Sequence, residues 1–183
     1  MDHQIFIIAP HTTDGAGLKA MFEATGAPSM VAAVLIARGP LEEPAYRQHA
    51  ETLVPAIQEH GAAALLDNAP DLVRALGADG VHVTTGLKAL TAAIASLKPD
   101  FVVGTGDIGS RHEAMVRGET EVDYLLFGDR AEDDGYEMAS WWSETFEVPS
   151  VWLSADPADP RNETIGTEFV GRHAAASPEG SGQ

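Results

Sequence analysis

Short apolar runs recur along the whole chain, separated by longer stretches of mixed polarity. Most runs are continuous rather than alternating, which is typical of strands buried on both faces, as in parallel sheets covered by helices. Eight strands are predicted, at residues 4–9, 31–37, 62–66, 79–83, 100–104, 122–127, 149–153 and 167–171.

The segments between several of these strands have helical periodicity. In residues 44–60 the apolar side chains recur at intervals of three and four residues, which places them on one face of a helix. Further helices are predicted at 69–76, 86–97, 110–117 and 132–146, with a weaker one in the proline-containing stretch 157–166. Strands that alternate with helices predict an α/β protein with a single (β/α)8 barrel, although 183 residues are few for this fold. An open, doubly wound sheet with fewer strands is the alternative.

The barrel is expected to form one domain over residues 1–173, followed by a small, polar, disordered tail at 174–183. The N-terminus lacks the basic region of a signal peptide, and no apolar stretch reaches the roughly 18 residues of a membrane span. These features predict a cytoplasmic protein.

The charge balance narrows the range of partners. The chain has 28 acidic and 11 basic residues, with a formal net charge of −17, which argues against nonspecific nucleic-acid binding and against docking on an anionic membrane. The absence of cysteine excludes disulfides, thiolate zinc sites and a catalytic thiol.

One stretch of sequence is more specific than the rest. Asp67-Asn68 is followed by LVRALGADGVHVTTG at 72–86, and this segment resembles the thiamine phosphate synthase and TenI superfamily. Later segments keep the family's order, and the resemblance runs from about residue 60 to residue 172. These segments are FVVGTGDIGSRHEA at 101–114, DYLLFG at 123–128, VPSVWL at 148–153 and TEFVG at 167–171.

The resemblance implies a small (β/α)8 barrel and a transferase of thiamine biosynthesis. The family's best-known reaction joins a pyrimidine pyrophosphate to a thiazole phosphate, with Mg²⁺ neutralising the leaving pyrophosphate, and TenI relatives isomerise a thiazole. The implied partner is therefore a small phosphorylated heterocycle.

The sequence departs from the family's pattern at several strand ends. The second strand ends in VLIARGP, with Arg38 but without the family's Gln and Lys, and the Asn-Asp pair is reversed as Asp67-Asn68. The Thr-Lys loop is replaced by GDRAEDDG at 128–135, and the Gly-Gly turn by Ser154-Ala155-Asp156. A second hypothesis is therefore a degenerate, non-catalytic barrel that acts as a binding or regulatory module.

The candidate site lies where a barrel carries it, at the C-terminal ends of the strands. Arg38 follows the second strand, where the family holds pyrophosphate, and Asn68 is a further candidate ligand. In GTGDIGS at 104–110, Thr105 and Gly106 precede a helix N-terminus, which favours phosphate, although a tight turn needing glycine is the plainer explanation.

Acidic residues outnumber basic ones at these strand ends. The eight carboxylates expected there are Asp14, Asp67, Asp107, Asp129, Glu132, Asp133, Asp134 and Asp156. Hard cations favour carboxylate oxygens, so Asp67 and Asp107 are the candidate Mg²⁺ ligands, with solvated acids or helix caps as the alternative.

Two further features suggest roles for aromatic and imidazole side chains. His82 lies inside a strand, where a structural histidine is favoured over a catalytic one. The aromatic-rich helix near 136–146 contains the adjacent Trp141 and Trp142, and one of them is available for a subunit contact, which predicts a homodimer.

Overall fold

The computed structural model describes residues 3–130 and 135–174. Eight parallel strands close into a barrel in which β1 pairs with both β2 and β8. The strands are β1 Gln4–Ala9, β2 Val31–Ile36, β3 Ala63–Asp67, β4 Gly80–Val83, β5 Val102–Thr105, β6 Tyr124–Phe127, β7 Ser150–Leu153 and β8 Phe169–His173. The predicted (β/α)8 barrel is confirmed, and the open-sheet alternative is wrong.

Helices follow the strands around the outside of the barrel. They are α1 Gly15–Ala24, α2 Glu43–Glu59, α3 Val73–Leu76, α4 Leu87–Leu97, α5 Arg111–Gly118, α6 Gly135–Thr145 and α7 Arg161–Thr164. Residues 131–134 and 175–183 lie outside the described residues, so the start of the predicted helix 132–146 and nearly all of the predicted tail do too.

Helix α1 was not predicted from the sequence. Two glycines in its first turn, Gly15 and Gly17, lower the helix propensity and hide the pattern. The helix forms because Asp14 caps it, accepting the N–H of Gly17 at 2.8 Å, and because Leu18 and Phe22 are buried against the barrel.

The apolar residues form two layers. The larger one lies between the helices and the outer face of the strands. Alternate strand residues point into the barrel, where the buried set is Phe6, Ala33, Leu35, Leu65, Tyr124, Leu126, Val151 and Leu153. Small side chains such as Ala33 and Ala63 leave a cavity of about 260 Å³ at the N-terminal end of the barrel.

Carboxylates also stabilise that N-terminal end. An acidic residue directly precedes each of β4, β6 and β8, and its side chain accepts a backbone N–H near the start of the previous strand. The pairs are Asp79 with Ala64 at 2.8 Å, Asp123 with Val103 at 2.8 Å and Glu168 with Ser150 at 3.0 Å. These contacts tie neighbouring strands together at the rim opposite the candidate site.

The structure also bears on membrane insertion. Within the ranges 3–130 and 135–174, it contains no helix that is both long enough and apolar enough to cross a bilayer.

We expect Asp79→Ala to destabilise the protein by about 1–3 kcal/mol, because it leaves the partly buried N–H of Ala64 without its acceptor. Denaturant unfolding measures the effect. The matched control is the exposed Asp71→Ala, which removes the same charge from the chain. Equal stability changes in the two variants would contradict a capping role for Asp79.

Candidate functional site

The rim formed by the C-terminal strand ends is called the mouth here, and Asp67 at the end of β3 is tied into it. Its Oδ2 accepts the backbone N–H of Arg38 at 2.9 Å, and its Oδ1 accepts Nδ2 of Asn68 at 3.2 Å. Burial raises the pKa of Asp67, while the hydrogen bond and the charge of Arg38 act in the opposite direction. This carboxylate therefore links β2 to β3.

Asn68 joins the end of β3 to the end of β4. Its Nδ2 donates to Oγ1 of Thr84 at 2.8 Å, and its Oδ1 accepts the N–H of Thr84 at 2.8 Å. The backbone of Asn68 has φ 54°, a left-handed conformation that asparagine tolerates better than most residues. The side chain predicted to bind phosphate thus makes a two-bond contact with the neighbouring strand end.

Arg38 turns back toward its own loop. Its Nε donates to the carbonyl of Leu41 at 3.3 Å, and its guanidinium lies 5.0 Å from the ring centre of Tyr46 in α2. Tyr46 in turn donates to the carbonyl of Ile36 at 2.7 Å. Stacking and hydrogen bonding therefore hold the predicted pyrophosphate cation against α2.

The β5 loop, residues 105–110, rests on a buried arginine that the sequence analysis missed. Arg117 of α5 is only 5% exposed. It donates to Oγ1 of Thr105 at 2.8 Å, to the carbonyl of Gly106, and to the carbonyl of Asp107 at 3.3 Å. Glu113, one turn earlier, accepts from Arg117 at 2.6 Å, and this i,i+4 pair was the available sequence signal.

The backbone amides of the β5 loop already donate to carboxylates of the chain. Asp107 N donates to Oδ2 of Asp129 at 2.7 Å, and Gly109 N donates to Oε1 of Glu113 at 2.7 Å. Ser110 caps α5 by accepting the N–H of Glu113 at 3.1 Å. The loop expected to offer these N–H groups to a phosphate instead uses them internally.

Below the loop, His82 and Tyr124 form a hydrogen-bonded pair inside the barrel. His82 Nδ1 lies 2.6 Å from the hydroxyl of Tyr124, and both side chains are buried. Burial, together with the nearby charge of Arg117, lowers the pKa of His82 to about 4. Burial also raises the pKa of Tyr124, so both groups are neutral near pH 7.

His82 also explains why residue 106 is glycine. A Cβ atom at Gly106 would lie 2.8 Å from Nε2 of His82 and 2.8 Å from Oδ2 of Asp129. Both distances are shorter than van der Waals contact, so a larger residue at position 106 would collide with these two side chains.

The family model and the curated relatives of similar sequence indicate one family. The family model for thiamine monophosphate synthase matches residues 5–154. The thiamine-phosphate synthase of Rhodospirillum centenum is 30% identical over 158 residues, covering 82% of this chain and 76% of that protein. That of Erythrobacter litoralis is 31% identical over 134 residues, covering 66% of this chain and 62% of that protein.

The chain belongs to the thiamine monophosphate synthase family. Among solved structures, the thiamine phosphate pyrophosphorylase of Pyrococcus furiosus has a TM-score of 0.78 at 19% identity, over 95% of this chain and 87% of that chain. At this identity the likeness shows the barrel fold alone. It agrees with the closed order of strands described above.

The family match ends where the β7 turn begins. In place of a Gly-Gly turn, Ser154 donates from Oγ to the carbonyl of Asp156 at 3.0 Å. The carboxylate of Asp156 then accepts the N–H of Ala158 at 2.9 Å. This member of the thiamine monophosphate synthase family therefore closes the turn with its own polar side chains.

The residues predicted to hold Mg²⁺ make other contacts in the structure, and their role as metal ligands stays a prediction. Both oxygens of Asp67 accept N–H groups, and Oδ1 of Asp107 lies 3.7 Å from Nη1 of Arg130. In the part of the chain that the structure describes, no three acidic or histidine side chains converge. Glu132, Asp133 and Asp134 lie outside the described residues.

The two adjacent tryptophans of α6 differ in their surroundings. Trp142 is 1% exposed and donates to the carbonyl of Val148 at 2.9 Å, so it belongs to the core. Trp141 is half-buried, and the guanidinium of Arg111 lies 4.8 Å from its ring centre. The homodimer stays a prediction.

The buried, neutral His82 makes stability depend on pH. The pKa of His82 is lowered from 6.5 to about 4 in the folded protein. As the pH decreases from 6.5 to 4, His82 therefore becomes protonated in the unfolded chain but stays neutral in the folded one. Stability should therefore fall by up to about 1.4 kcal/mol per pH unit in this window, and this contribution is complete above pH 6.5. Urea unfolding at several pH values should give a shallower dependence for His82→Gln, and equal slopes would refute the assignment.

Proposed function

We propose that this chain carries out the transfer reaction of its family, joining a pyrimidine pyrophosphate to a thiazole phosphate to give thiamine phosphate and pyrophosphate. The observation that carries the proposal is the family match over residues 5–154, which includes the ends of the first six strands and β7 itself. The hydrogen-bonded contacts of Asp67, Asn68 and Thr84 support an ordered ligand site at the mouth.

In this reaction the bond between the pyrimidine and its pyrophosphate breaks, and the electron pair leaves with the pyrophosphate. The thiazole supplies the pair for the new bond. Catalysis of such a step consists mainly of holding the two substrates in line and stabilising the charge that develops on the leaving group.

The described residues suggest a division of roles for that step. Arg38 is the proposed contact for pyrophosphate, because a guanidinium can hold two phosphate oxygens at once. Asn68 fixes the relative position of two strand ends next to it. His82 lies below the mouth as a neutral imidazole, so it can hydrogen-bond a heterocycle without adding charge.

A binding or regulatory module is the second candidate, and a specific observation favours it. The N–H groups of Asp107 and Gly109 donate to carboxylates of the chain itself, and Nε of Arg38 donates to Leu41. Both arrangements weaken the hold on pyrophosphate. Such a module would still bind a small phosphorylated heterocycle. For either candidate function, a cytoplasmic location stays a prediction.

A steady-state assay with both substrates tests the proposal. The wild type should form thiamine phosphate, and Arg38→Ala should lower kcat/KM by about tenfold to a hundredfold because a charge-assisted contact with the leaving group is lost. Magnesium is added in one arm of the assay and omitted from the other.

Arg74→Ala is the matched control for Arg38→Ala. Arg74 also lies over an aromatic ring, 5.1 Å from the centre of Phe101, and donates to the carbonyl of Ser96 at 2.8 Å. The Arg74→Ala variant should leave kcat/KM unchanged. A wild type that binds thiamine phosphate in calorimetry but forms none in either arm would replace the transferase with the module.

A further inference from the structure

The β5 loop already holds an anion, and that anion is a side chain of the same protein. Asp129 lies two residues beyond the end of β6, and its Oδ2 accepts Asp107 N at 2.7 Å. A backbone N–H that donates to a carboxylate at this distance makes a charge-assisted hydrogen bond, stronger than one between neutral groups. The carboxylate also lies against Gly106, with Oδ2 2.8 Å from the position that a Cβ there would take.

A buried cation lies on the other side of the same peptide group. The peptide that joins Gly106 to Asp107 accepts from Arg117 through its carbonyl and donates to Asp129 through its N–H. Hydrogen bonds at the two ends of a peptide polarise each other. Here the Arg117 end is buried and the Asp129 end is exposed to solvent. Since Arg117 is 5% exposed, its charge acts on the mouth through the loop rather than by direct contact.

These contacts resemble those a bound phosphate would make. A phosphate oxygen needs an N–H donor, a nearby positive charge and a backbone that it can approach closely, and the loop supplies all three to Asp129. The guanidinium of Arg130 adds a further positive charge, 3.7 Å from Oδ1 of Asp107.

We propose that Asp129 is a specificity-determining residue of the mouth, whose carboxylate occupies the position on the β5 loop that a substrate phosphate would otherwise take. A phosphate reaches this loop only by displacing Asp129. The loop of the wild type therefore favours neutral or cationic parts of a ligand, and phosphate groups bind elsewhere on the mouth. This inference concerns binding and holds whether or not the chain catalyses the transfer.

Calorimetric titration with inorganic pyrophosphate tests the proposal without any turnover. Asp129→Ala should bind pyrophosphate at least about tenfold more tightly than the wild type, because the N–H of Asp107 is released and a competing charge is removed. The probe is titrated without divalent cations, so that chelation does not contribute.

Asp156→Ala is the matched control for charge. Asp156 is an exposed carboxylate after β7 that caps only its own turn, so its removal changes the net charge equally but frees no N–H of the β5 loop. A gain in Asp129→Ala that exceeds the gain in Asp156→Ala supports the proposal. Equal gains, or no gain in Asp129→Ala, would overturn it.

A second pair of variants tests the role of Arg117. In the Asp129→Ala background, Arg117→Met should abolish the gain in pyrophosphate affinity, whereas Arg117→Lys, which keeps the charge, should retain part of it. Circular dichroism checks that each variant is folded. An undiminished gain in affinity in a folded Arg117→Met variant would contradict the proposed polarisation of the loop. If Arg117→Met does not fold, Arg117→Lys tests the same point. A partly retained gain in Arg117→Lys supports the polarisation, and an undiminished gain contradicts it.

Discussion

The backbone N–H groups at the rims of a parallel barrel need acceptors, and in this protein carboxylates supply many of them. At the N-terminal rim Asp79 and Asp123 accept from neighbouring strands. At the mouth Asp67 accepts from Arg38, and Asp129 accepts from Asp107. Because a partly buried N–H without a partner is costly, Asp79, Asp123 and Asp67 stabilise the strand ends. Asp129 holds the exposed N–H of the β5 loop.

This requirement changes the meaning of the acidic composition. With 28 acidic residues and a net charge of −17, the sequence favours a mouth that attracts a divalent cation. In the structure, Asp14, Asp67, Asp129 and Asp156 each accept a backbone N–H. Those acidic residues stabilise turns, loops and strand ends. Their negative charge at the mouth also repels the phosphate groups of any ligand that binds there.

Much of the fold could be predicted because it depends on local patterns. Continuous apolar runs identify the strands, and their alternation with helices leads to the closed barrel. The first helix was missed because Gly15 and Gly17 weaken a pattern that Asp14 and tertiary packing then rescue. Alternation within β4 correctly favoured a buried, hydrogen-bonded His82.

The contacts of the candidate site were much harder to predict. Arg117 and Asp129 act on backbone atoms of Gly106 and Asp107, and no motif records a side chain that contacts a distant peptide group. Asn68 was correctly placed at the mouth, but its contact with Thr84 depends on how two strands align. Side-chain identity predicts which chemistry is available, whereas the three-dimensional pairing decides which groups remain for a ligand.

The central claim is that this family member keeps the barrel and its mouth, while the backbone N–H groups of the β5 loop donate to carboxylates of the chain itself. A crystal structure with thiamine phosphate bound tests this most directly. The account predicts that Asp129 stays within hydrogen-bond distance of Asp107 N and that the phosphate lies away from the β5 loop. A phosphate oxygen on the N–H groups of Asp107 and Gly109, with Asp129 displaced, would contradict it.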